Sequence, residues 1–364
     1  MKILCTSDWH LGCNSHGIID KDGRNSRLSD IENLLHRIID FATKEQVDLF
    51  LMAGDIFHTN RPSADEQRVF WGVLCHLEDN GIQSRFIIGN HDYTSQIGKS
   101  HALALFDDIT RRQLRLTKIY DKTTSELIGD CVFHFMPYKG DHPEYHKFGT
   151  FENNDQIGKN HILVCHSHLE GAIVGAEPFE IQNDHATSFK SIPVDYVIAG
   201  HFHKPQILSS VKPISFYPGS IHPIDFNERL DVKGVVLLNT ETGNLTPVGF
   251  KTRKFVQIDL ECSNDIADVD VKDAIIKVNV KYPEGRVHEY DELKIRKQLE
   301  SSGSHCIASI NLEIVKQEVR RDPEIKFNNE TKSNFIRYLE QKDYGLLKED
   351  IMKFGLEIIE KCRQ

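Results

Sequence analysis

The sequence of 364 residues lacks the cysteine spacing, the long apolar runs and the repeats that define several classes of protein. Its eight cysteines are scattered without a C-x-x-C pair, so a disulfide framework is not expected. Cys5 and Cys165 lie in apolar runs and are expected in the core. No segment approaches the roughly 20 apolar residues that span a bilayer, and a strand-like segment rather than a secretory signal follows Met1. We therefore expect a cytoplasmic protein with no membrane partner.

An excess of positive charge is also missing. The 44 lysines and arginines against 54 aspartates and glutamates give a formal net charge of −10. Phosphate backbones favour excess Lys and Arg, so the composition argues against a protein that simply coats DNA. If DNA is a substrate, positive charge must be local. Bound metal ions, a partner protein, Arg61 or the basic cluster at residues 251–254 could supply it.

The segment 1–250 alternates short apolar runs with longer amphipathic stretches, which predicts an α/β fold. A helix is predicted over residues 28–45, whose apolar residues share one face. A second helix is predicted to begin at Pro62-Ser63, with Glu66 completing a capping box, and to end at Gly81. Strands are predicted over residues 3–5, 47–53, 86–88, 162–165, 196–199 and 235–238.

The pattern changes near residue 253. Strands over 255–261, 274–281 and 307–315 and a helix over 287–301 predict a compact α+β unit. Two short helices are predicted from about residue 329. Phe335, Ile336 and Leu339 mark the first helix, and Leu346, Leu347, Ile351, Phe354, Ile358 and Ile359 mark the second. The predicted domains are therefore 1–252, 253–328 and 329–364.

Five of the apolar runs end at side chains that can bind a metal ion. In chain order these are Asp8 and His10, then Asp55, then Asn90-His91-Asp92, then His166, then His201 and His203. Ligands bind at the carboxyl ends of strands in α/β sheets, so these groups are expected to converge. The glycines before Asp55, Asn90 and His201 are expected to let the chain turn sharply.

Imidazole together with carboxylate suits Mn, Fe or Zn, whereas calcium prefers oxygen ligands alone. The ligands are too many for one ion. Two divalent ions about 3.5–4 Å apart that share a carboxylate account for the number better. Such a pair lowers the pKa of a bound water and clamps phosphoryl oxygens, which predicts a phosphoesterase.

These residues resemble the motifs of the calcineurin-like metallophosphoesterase superfamily, in the same order and across the segment 1–240. The resemblance implies a four-layer sandwich, in which helices flank the sheets. Three segments further resemble SbcD-type nucleases, including their bacteriophage branch. These segments are residues 8–12, residues 54–63, and residues 217–220 with 225–228 and 233–234.

That second resemblance implies a function and partners. The function is a Mn²⁺-dependent DNA nuclease, with 3′-to-5′ exonuclease activity on duplex DNA and endonuclease activity on single strands or hairpins. The partners are DNA, an SbcC-type coiled-coil ATPase and a second copy of the chain within a heterotetramer that processes, repairs and recombines DNA. Residues 255–317 resemble a DNA-capping domain and the last two helices resemble an ATPase-docking element. Residues 62–80 are a candidate dimer surface, unless their apolar stripe faces the sheet.

Carried over residue by residue, the resemblance implies a role for each strand-end group. One metal ion would be held by Asp8, His10, Asp55 and His203. The other would be held by Asp55, Asn90, His166 and His201. His91 would stabilise the transition state or protonate the leaving oxygen, and His58 would orient the phosphodiester.

Some assignments stay open. His168 competes with His166 as a ligand, although His166 follows the apolar run directly. Asp92 either orients His91 or is a plain loop residue. A phosphatase or phosphodiesterase that acts on a non-DNA phosphoester is the alternative function. Seven histidines outside the strand ends are expected to be solvated or structural, namely His16, His101, His134, His142, His146, His161 and His185.

Overall fold

A computed structural model describes residues 1–96, 99–140, 160–174, 179–180, 192–266, 269–316, 331–340 and 348–361. His142, His146 and His185, as well as Leu346 and Leu347, lie outside the described residues. No helix in the described part of the chain combines the length and the apolar character needed to cross a membrane.

The strands that precede residue 250 build two large sheets. They are β1 (Lys2–Thr6), β2 (Leu49–Met52), β3 (Ser84–Ile87), β4 (Thr117–Tyr120), β5 (Thr124–Ile128), β6 (Cys131–Met136), β7 (Asn160–His166), β8 (Ile173–Val174), β9 (Phe179–Glu180), β10 (Tyr196–Gly200), β11 (Gln206–Ser209), β12 (Ile214–Tyr217), β13 (Gly234–Asn239) and β14 (Asn244–Gly249). Of these, β8 and β9 pair with each other apart from the two large sheets. Strands β15 (Phe255–Glu261), β16 (Ile275–Pro283) and β17 (Cys306–Val315) follow.

The helices are α1 (Ser26–Lys44), α2 (Ala64–Asp79), α3 (Ala104–Gln113), α4 (Glu292–Ser301), α5 (Thr331–Glu340) and α6 (Lys348–Lys361). Short 3-10 helices cover Phe226–Glu228 and Glu284–Glu289. The predicted capping box of α2 is confirmed, because Ser63 and Glu66 each accept a hydrogen bond from the other's backbone N–H. Helix α4 begins at Glu292 rather than near residue 287, because the side chain of Asp291 caps it by accepting from Lys294 N.

Two six-stranded sheets carry the site, in the orders β14-β13-β1-β2-β3-β4 and β11-β12-β10-β7-β6-β5. Strands β1, β2 and β3 are mutually parallel, and so are β7 and β10. The carboxyl ends of parallel strands lie along one edge of a sheet. Each sheet therefore presents its ligand-bearing strand ends on one side.

Alternate residues of β1 face two different cores. Ile3 and Cys5 pack between the two sheets, whereas Leu4 packs on the helix side of the first sheet. The helices α1, α2 and α3 cover that outer side, and the apolar stripe of α2 lies in the same core as Phe50. The stripe of residues 62–80 thus faces the sheet. The predicted α/β fold with sheets flanked by helices is confirmed.

The described residues divide into two compact units, of which the first comprises 1–282 and 288–313 and the second comprises 283–287 and 314–364. In the first unit, β15, β16 and β17 form a three-stranded sheet. Arg253 attaches this part to α1 through two hydrogen bonds to Asp30, of 2.6 and 2.8 Å. In the second unit, Lys332 on α5 pairs with Glu360 on α6. The domain boundaries at residues 252 and 328 stay a prediction.

Candidate metal centre

In the segment after β1, successive side chains point alternately to the candidate site and to the apolar core. Asp8 and His10 have φ angles of 52° and 47°, in the left-handed region that residues other than glycine rarely adopt. Between them Trp9 is fully buried and packs edge-on against Phe50 and Phe86 on the helix side. The buried indole anchors the segment, so its two polar neighbours are held toward the opposite side.

Asp55 lies at the centre of the predicted ligands. Its Oδ2 atom lies 3.7 Å from His10 Nε2 and 3.3 Å from His166 Nε2. Its Oδ1 atom accepts a hydrogen bond of 2.9 Å from the backbone N–H of His91. One carboxylate oxygen therefore faces imidazoles from both sheets.

Asn90, His166 and His201 form one cluster around the amide oxygen of Asn90. That oxygen lies 2.8 Å from His166 Nε2 and 2.9 Å from His201 Nδ1. The other ring nitrogen of His166 lies 2.8 Å from the carbonyl oxygen of Ala53, which can only accept a hydrogen bond. His166 also joins Asp8 and Asp55 in a group of close potential ligands, which supports the prediction that His166 rather than His168 is the ligand.

His10 and His203 form the second cluster with Asp8. Their Nε2 atoms lie 3.0 Å apart, as two ligands of one ion do, and both join Asp8 in a group whose ligand atoms all lie within 4.8 Å. A second such group contains Asp8, Asp55 and His166. The oxygen and nitrogen donors of both clusters fit divalent transition metals.

His91 and His58 lie beside these clusters with their rings stacked 5.5 Å apart. The Nδ1 atom of His91 lies 2.7 Å from the carbonyl oxygen of His58, and His58 Nδ1 lies 3.4 Å from His10 Nδ1. Both imidazoles are half-buried and therefore reachable from solvent. His10, His58 and His91 also form a group of close potential ligands.

The idea that Asp92 orients His91 is wrong, and so is the idea that Asp92 is a plain loop residue. Its buried carboxylate accepts hydrogen bonds from the backbone N–H groups of Ile56, Phe57 and Gly89. Burial together with the charge of Asp55 raises the pKa of Asp92 to about 7. Asp92 therefore ties the loop after β2 to the loop after β3.

The glycines of these loops serve close approach more than sharp turning. Of the three that precede ligands, only Gly54 has a positive φ, of 92°. A Cβ atom on Gly89 would lie 2.1 Å from Asp55 Oδ1, and one on Gly200 would lie 2.0 Å from the carbonyl oxygen of Ala53. A side chain on Gly89 would push apart the loops that follow β2 and β3. A side chain on Gly200 would push the end of β10 away from the end of β2 in the other sheet.

Carboxylates and imidazoles shift one another's pKa values. Burial would raise the pKa of Asp55, but the neighbouring imidazoles, His166 foremost, outweigh it and hold that pKa below its usual range. Burial would lower the pKa of His166, yet the Asp55 carboxylate outweighs it and raises that pKa to about 9. The pKa of His201 falls to about 2, through burial first and then the charge of His166.

One carboxylate beside the site was not predicted from the sequence. Glu228 Oε1 lies 2.7 Å from His203 Nδ1, although 25 residues separate the two. Burial would raise the pKa of Glu228, but the bonded His203 and the nearby Lys233 lower it to about 2. The only sequence feature that pointed to Glu228 was the segment 225–228, which resembles a family motif but suggested no role for this residue.

The remaining sequence predictions have mixed outcomes. His134 is buried and lies within hydrogen-bonding distance of Ser125 and His161, so its structural role is confirmed. The basic cluster at 251–254 is less available than expected, because Arg253 pairs with Asp30 and Asp273 and Lys254 pairs with Asp270. Arg61 is exposed.

Comparison with known protein families agrees with this geometry. A model of the calcineurin-like phosphoesterase family matches residues 1–205. The chain is 26% identical over 271 residues to the D subunit of the nuclease SbcCD from Bacillus subtilis, which covers 67% of each chain. It is 24% identical over 278 residues to the Escherichia coli K12 protein of the same name, covering 68% of this chain and 67% of that one. A crystal structure from Thermus thermophilus matches with a TM-score of 0.42 and 14% identity, covering 68% of this chain and 98% of that one.

Proposed function

The chain belongs to the calcineurin-like phosphoesterase family, and from this premise we propose that it is a two-metal DNA nuclease. The observation that carries the proposal is the position of Asp55 Oδ2 between His10 of one cluster and His166 of the other. A shared carboxylate between two sets of N and O donors is what a two-metal phosphoesterase needs. Imidazole and carboxylate suit Mn, Fe and Zn alike, and Mn²⁺ is the proposed ion because the resemblance to SbcD-type nucleases implies it.

Each ligand has a proposed place. The first metal would be held by Asp8, His10, Asp55 and His203, and the second would be held by Asp55, Asn90, His166 and His201. When bound, the metal pair supplies a water of lowered pKa and polarises the phosphoryl oxygens. The proposed ligands come from both sheets. The packing of the two sheets against each other therefore positions the whole centre.

His91 is the proposed proton donor. Its Nδ1 atom must carry a proton, because the His58 carbonyl oxygen 2.7 Å away can only accept. In the imidazolium form Nε2 carries the second proton and can give it to the departing oxygen. His58 is the proposed residue that orients the phosphodiester, since its half-buried ring stacks on His91.

DNA is the proposed substrate, and the relatives named as part of the nuclease SbcCD support it. The proposal includes 3′-to-5′ exonuclease activity on duplex DNA and endonuclease activity on single strands and hairpins. The small sheet β15–β17 with α4 is the proposed DNA-capping part, and its Arg253–Asp30 attachment holds it on the phosphoesterase core. The proposed location is the cytoplasm, where such an enzyme would meet DNA, or the host cytoplasm if the chain is viral.

A coiled-coil ATPase of the SbcC type is the proposed partner. Helix α6 leaves Phe354 and Ile358 61% and 62% exposed, which is unusual for large apolar side chains. Apolar anchors at helical spacing suit docking on a coiled coil. A homodimer within a heterotetramer remains part of the proposal, through a surface other than the apolar stripe of α2.

A second candidate is a phosphatase or phosphodiesterase that acts on a non-DNA phosphoester. The net charge of −10 and the pairing of Arg253 and Lys254 with carboxylates favour it. Both candidates use the same metal chemistry and differ in their substrates. A comparison of substrates therefore separates them.

The test is a Mn²⁺-dependent time course on end-labelled duplex DNA, single-stranded DNA and a chromogenic phosphomonoester, with and without the ATPase. We expect cleavage of DNA that needs Mn²⁺ and falls by about 10²-fold or more in His91→Ala, the scale of general acid catalysis. His36→Ala, a half-buried histidine on α1 that contacts His76 and no proposed ligand, is the matched control and should retain activity. Turnover of the monoester without any cleavage of DNA would replace the nuclease by the second candidate.

A further inference from the structure

His203 differs from His166 in the group that accepts a hydrogen bond from its Nδ1 atom. The Nδ1 atom of His166 faces a backbone carbonyl, whereas the Nδ1 atom of His203 lies 2.7 Å from the Glu228 carboxylate. A carboxylate accepts a hydrogen bond from Nδ1–H and leaves the Nε2 lone pair free. That Nε2 atom lies 3.0 Å from His10 Nε2, on the side of the first proposed metal.

The second oxygen of Glu228 is held by three donors. Lys233 Nζ lies 2.8 Å away, the backbone N–H of Ile224 lies 3.1 Å away, and Ser220 Oγ lies 3.3 Å away. The Lys233 side chain is only 1% exposed, so this is a buried ion pair. A carboxylate with so many donors has little freedom to rotate away from His203.

Lys233 and Ser220, which contact Glu228, also bind the backbone of His203. The carbonyl oxygen of His203 accepts from Lys233 Nζ at 2.9 Å and from the backbone N–H of Ser220 at 3.0 Å. Gly219, at a φ of 78°, permits this approach, because a Cβ atom there would lie 2.7 Å from that oxygen. Residues between 219 and 233 therefore fix both the ring and the main chain of His203. Parts of this segment resemble a family motif, but the resemblance assigned no role to them.

We propose that Glu228, braced by Lys233, is a positioning residue of the metal centre, which sets the tautomer and orientation of His203 and strengthens it as a ligand. Carboxylates that hold a ligand imidazole raise its basicity, and their loss commonly lowers metal affinity roughly 10–100-fold. The inference rests on the proposed assignment of His203 as a ligand and is independent of DNA as the substrate.

The test is a calorimetric Mn²⁺ titration of the full chain and of Glu228→Gln. The amide keeps the size of the side chain and removes its charge. We expect one of the two sites to weaken roughly 10-fold or more while the other keeps its affinity. Glu32→Gln is the matched control, because Glu32 also pairs with two cations, Arg24 and Arg68, at a position on α1 with no contact to a ligand.

Two further readouts separate positioning from a general loss of structure. Without metal, Glu228→Gln should still unfold in one cooperative transition, at a lower temperature because Lys233 loses an ion-pair partner, and excess Mn²⁺ should restore its turnover. Glu228→Asp should recover part of the affinity, and Lys233→Gln should weaken the same site. Equal Mn²⁺ affinities in the parent and Glu228→Gln would overturn the inference while leaving the metal centre intact. Fewer than two ions bound by the parent would instead overturn the proposed function.

Discussion

At the residue scale, Asp55 and Gly89 depend on each other. The carboxylate of Asp55 reaches the space between the clusters only because Gly89 has no side chain, since a Cβ atom there would lie 2.1 Å from Asp55 Oδ1. Asp55 itself has a φ of 57°, and His201 has one of 109°. Non-glycine residues in this region cost about 1–3 kcal/mol each and persist where the surrounding structure imposes them.

Gly89→Ala should therefore abolish binding of at least one metal ion and lower the stability of the chain. The new methyl group would displace Asp55 from both clusters. Gly72→Ala is the control, because a Cβ atom at that position in α2 would meet no atom within 4 Å. That control should be neutral or stabilise by up to about 1 kcal/mol through helix propensity. Metal analysis and urea unfolding measure both effects, and full metal occupancy in Gly89→Ala would contradict the account.

Protons should compete with metal at the same imidazoles. Burial would lower the pKa of His166, but the Asp55 carboxylate raises it to about 9, so without metal His166 is protonated at neutral pH. Metal binding needs the free lone pair and must release that proton. Affinity for Mn²⁺ should then rise about tenfold per pH unit below pH 9 and level off above it. Calorimetry at neutral pH in buffers of different ionisation enthalpy should detect at least about one released proton, and release of none would count against this electrostatic picture.

The strand-end rule predicted which residues meet, but not what holds them. Asp8, Asp55 and His166 each follow an apolar run in sequence, and that local signal sufficed. Asp92 and Glu228 act on groups that come close only through tertiary structure: Asp92 on the N–H of Phe57, and Glu228 on the ring of His203. No local pattern encodes such partners.

At the scale of elements, β1, β2 and β3 bring their ligands from one sheet and β7 and β10 from the other. The sequence predicted all five of these strands because their apolar runs are buried on both faces. In the two large sheets it did not predict β4, β5, β11 or β14, which lie at the edges of the sheets. It also missed β6 and β12, although both lie inside a sheet and are buried. It also gave no indication that the five strand ends belong to two sheets, because pairing order is not a local property.

The capping box of α2 offers a test at this scale. Ser63→Ala removes the side chain that accepts from Glu66 N, and should cost about 1 kcal/mol of unfolding free energy. Metal binding should persist, because α2 carries no proposed ligand. Ser100→Ala, at an exposed loop position, is the control and should change stability by less than about 0.5 kcal/mol. A Ser63→Ala variant as stable as the parent would contradict the assigned cap.

At the scale of the whole molecule, the proposed chemistry lies in the segment 1–250 and the proposed partner contact lies on the C-terminal helices. Phe354→Asp with Ile358→Asp should abolish co-purification with the coiled-coil ATPase, because charged groups replace both exposed anchors. Metal content and the activity of the isolated chain should stay unchanged. Lys353→Ala with Glu357→Ala alters the same exposed helix without its apolar anchors and should keep the partner. An undiminished complex with the double Asp variant would assign docking to another surface.

The most direct test of the account is a crystal structure of the chain grown with Mn²⁺ and measured at the Mn absorption edge. We expect two anomalous peaks about 3.5–4 Å apart on either side of Asp55, one beside His10 and His203 and the other beside Asn90, His166 and His201. A single peak, or two peaks that do not share Asp55, would contradict the two-metal centre on which the proposed nuclease depends.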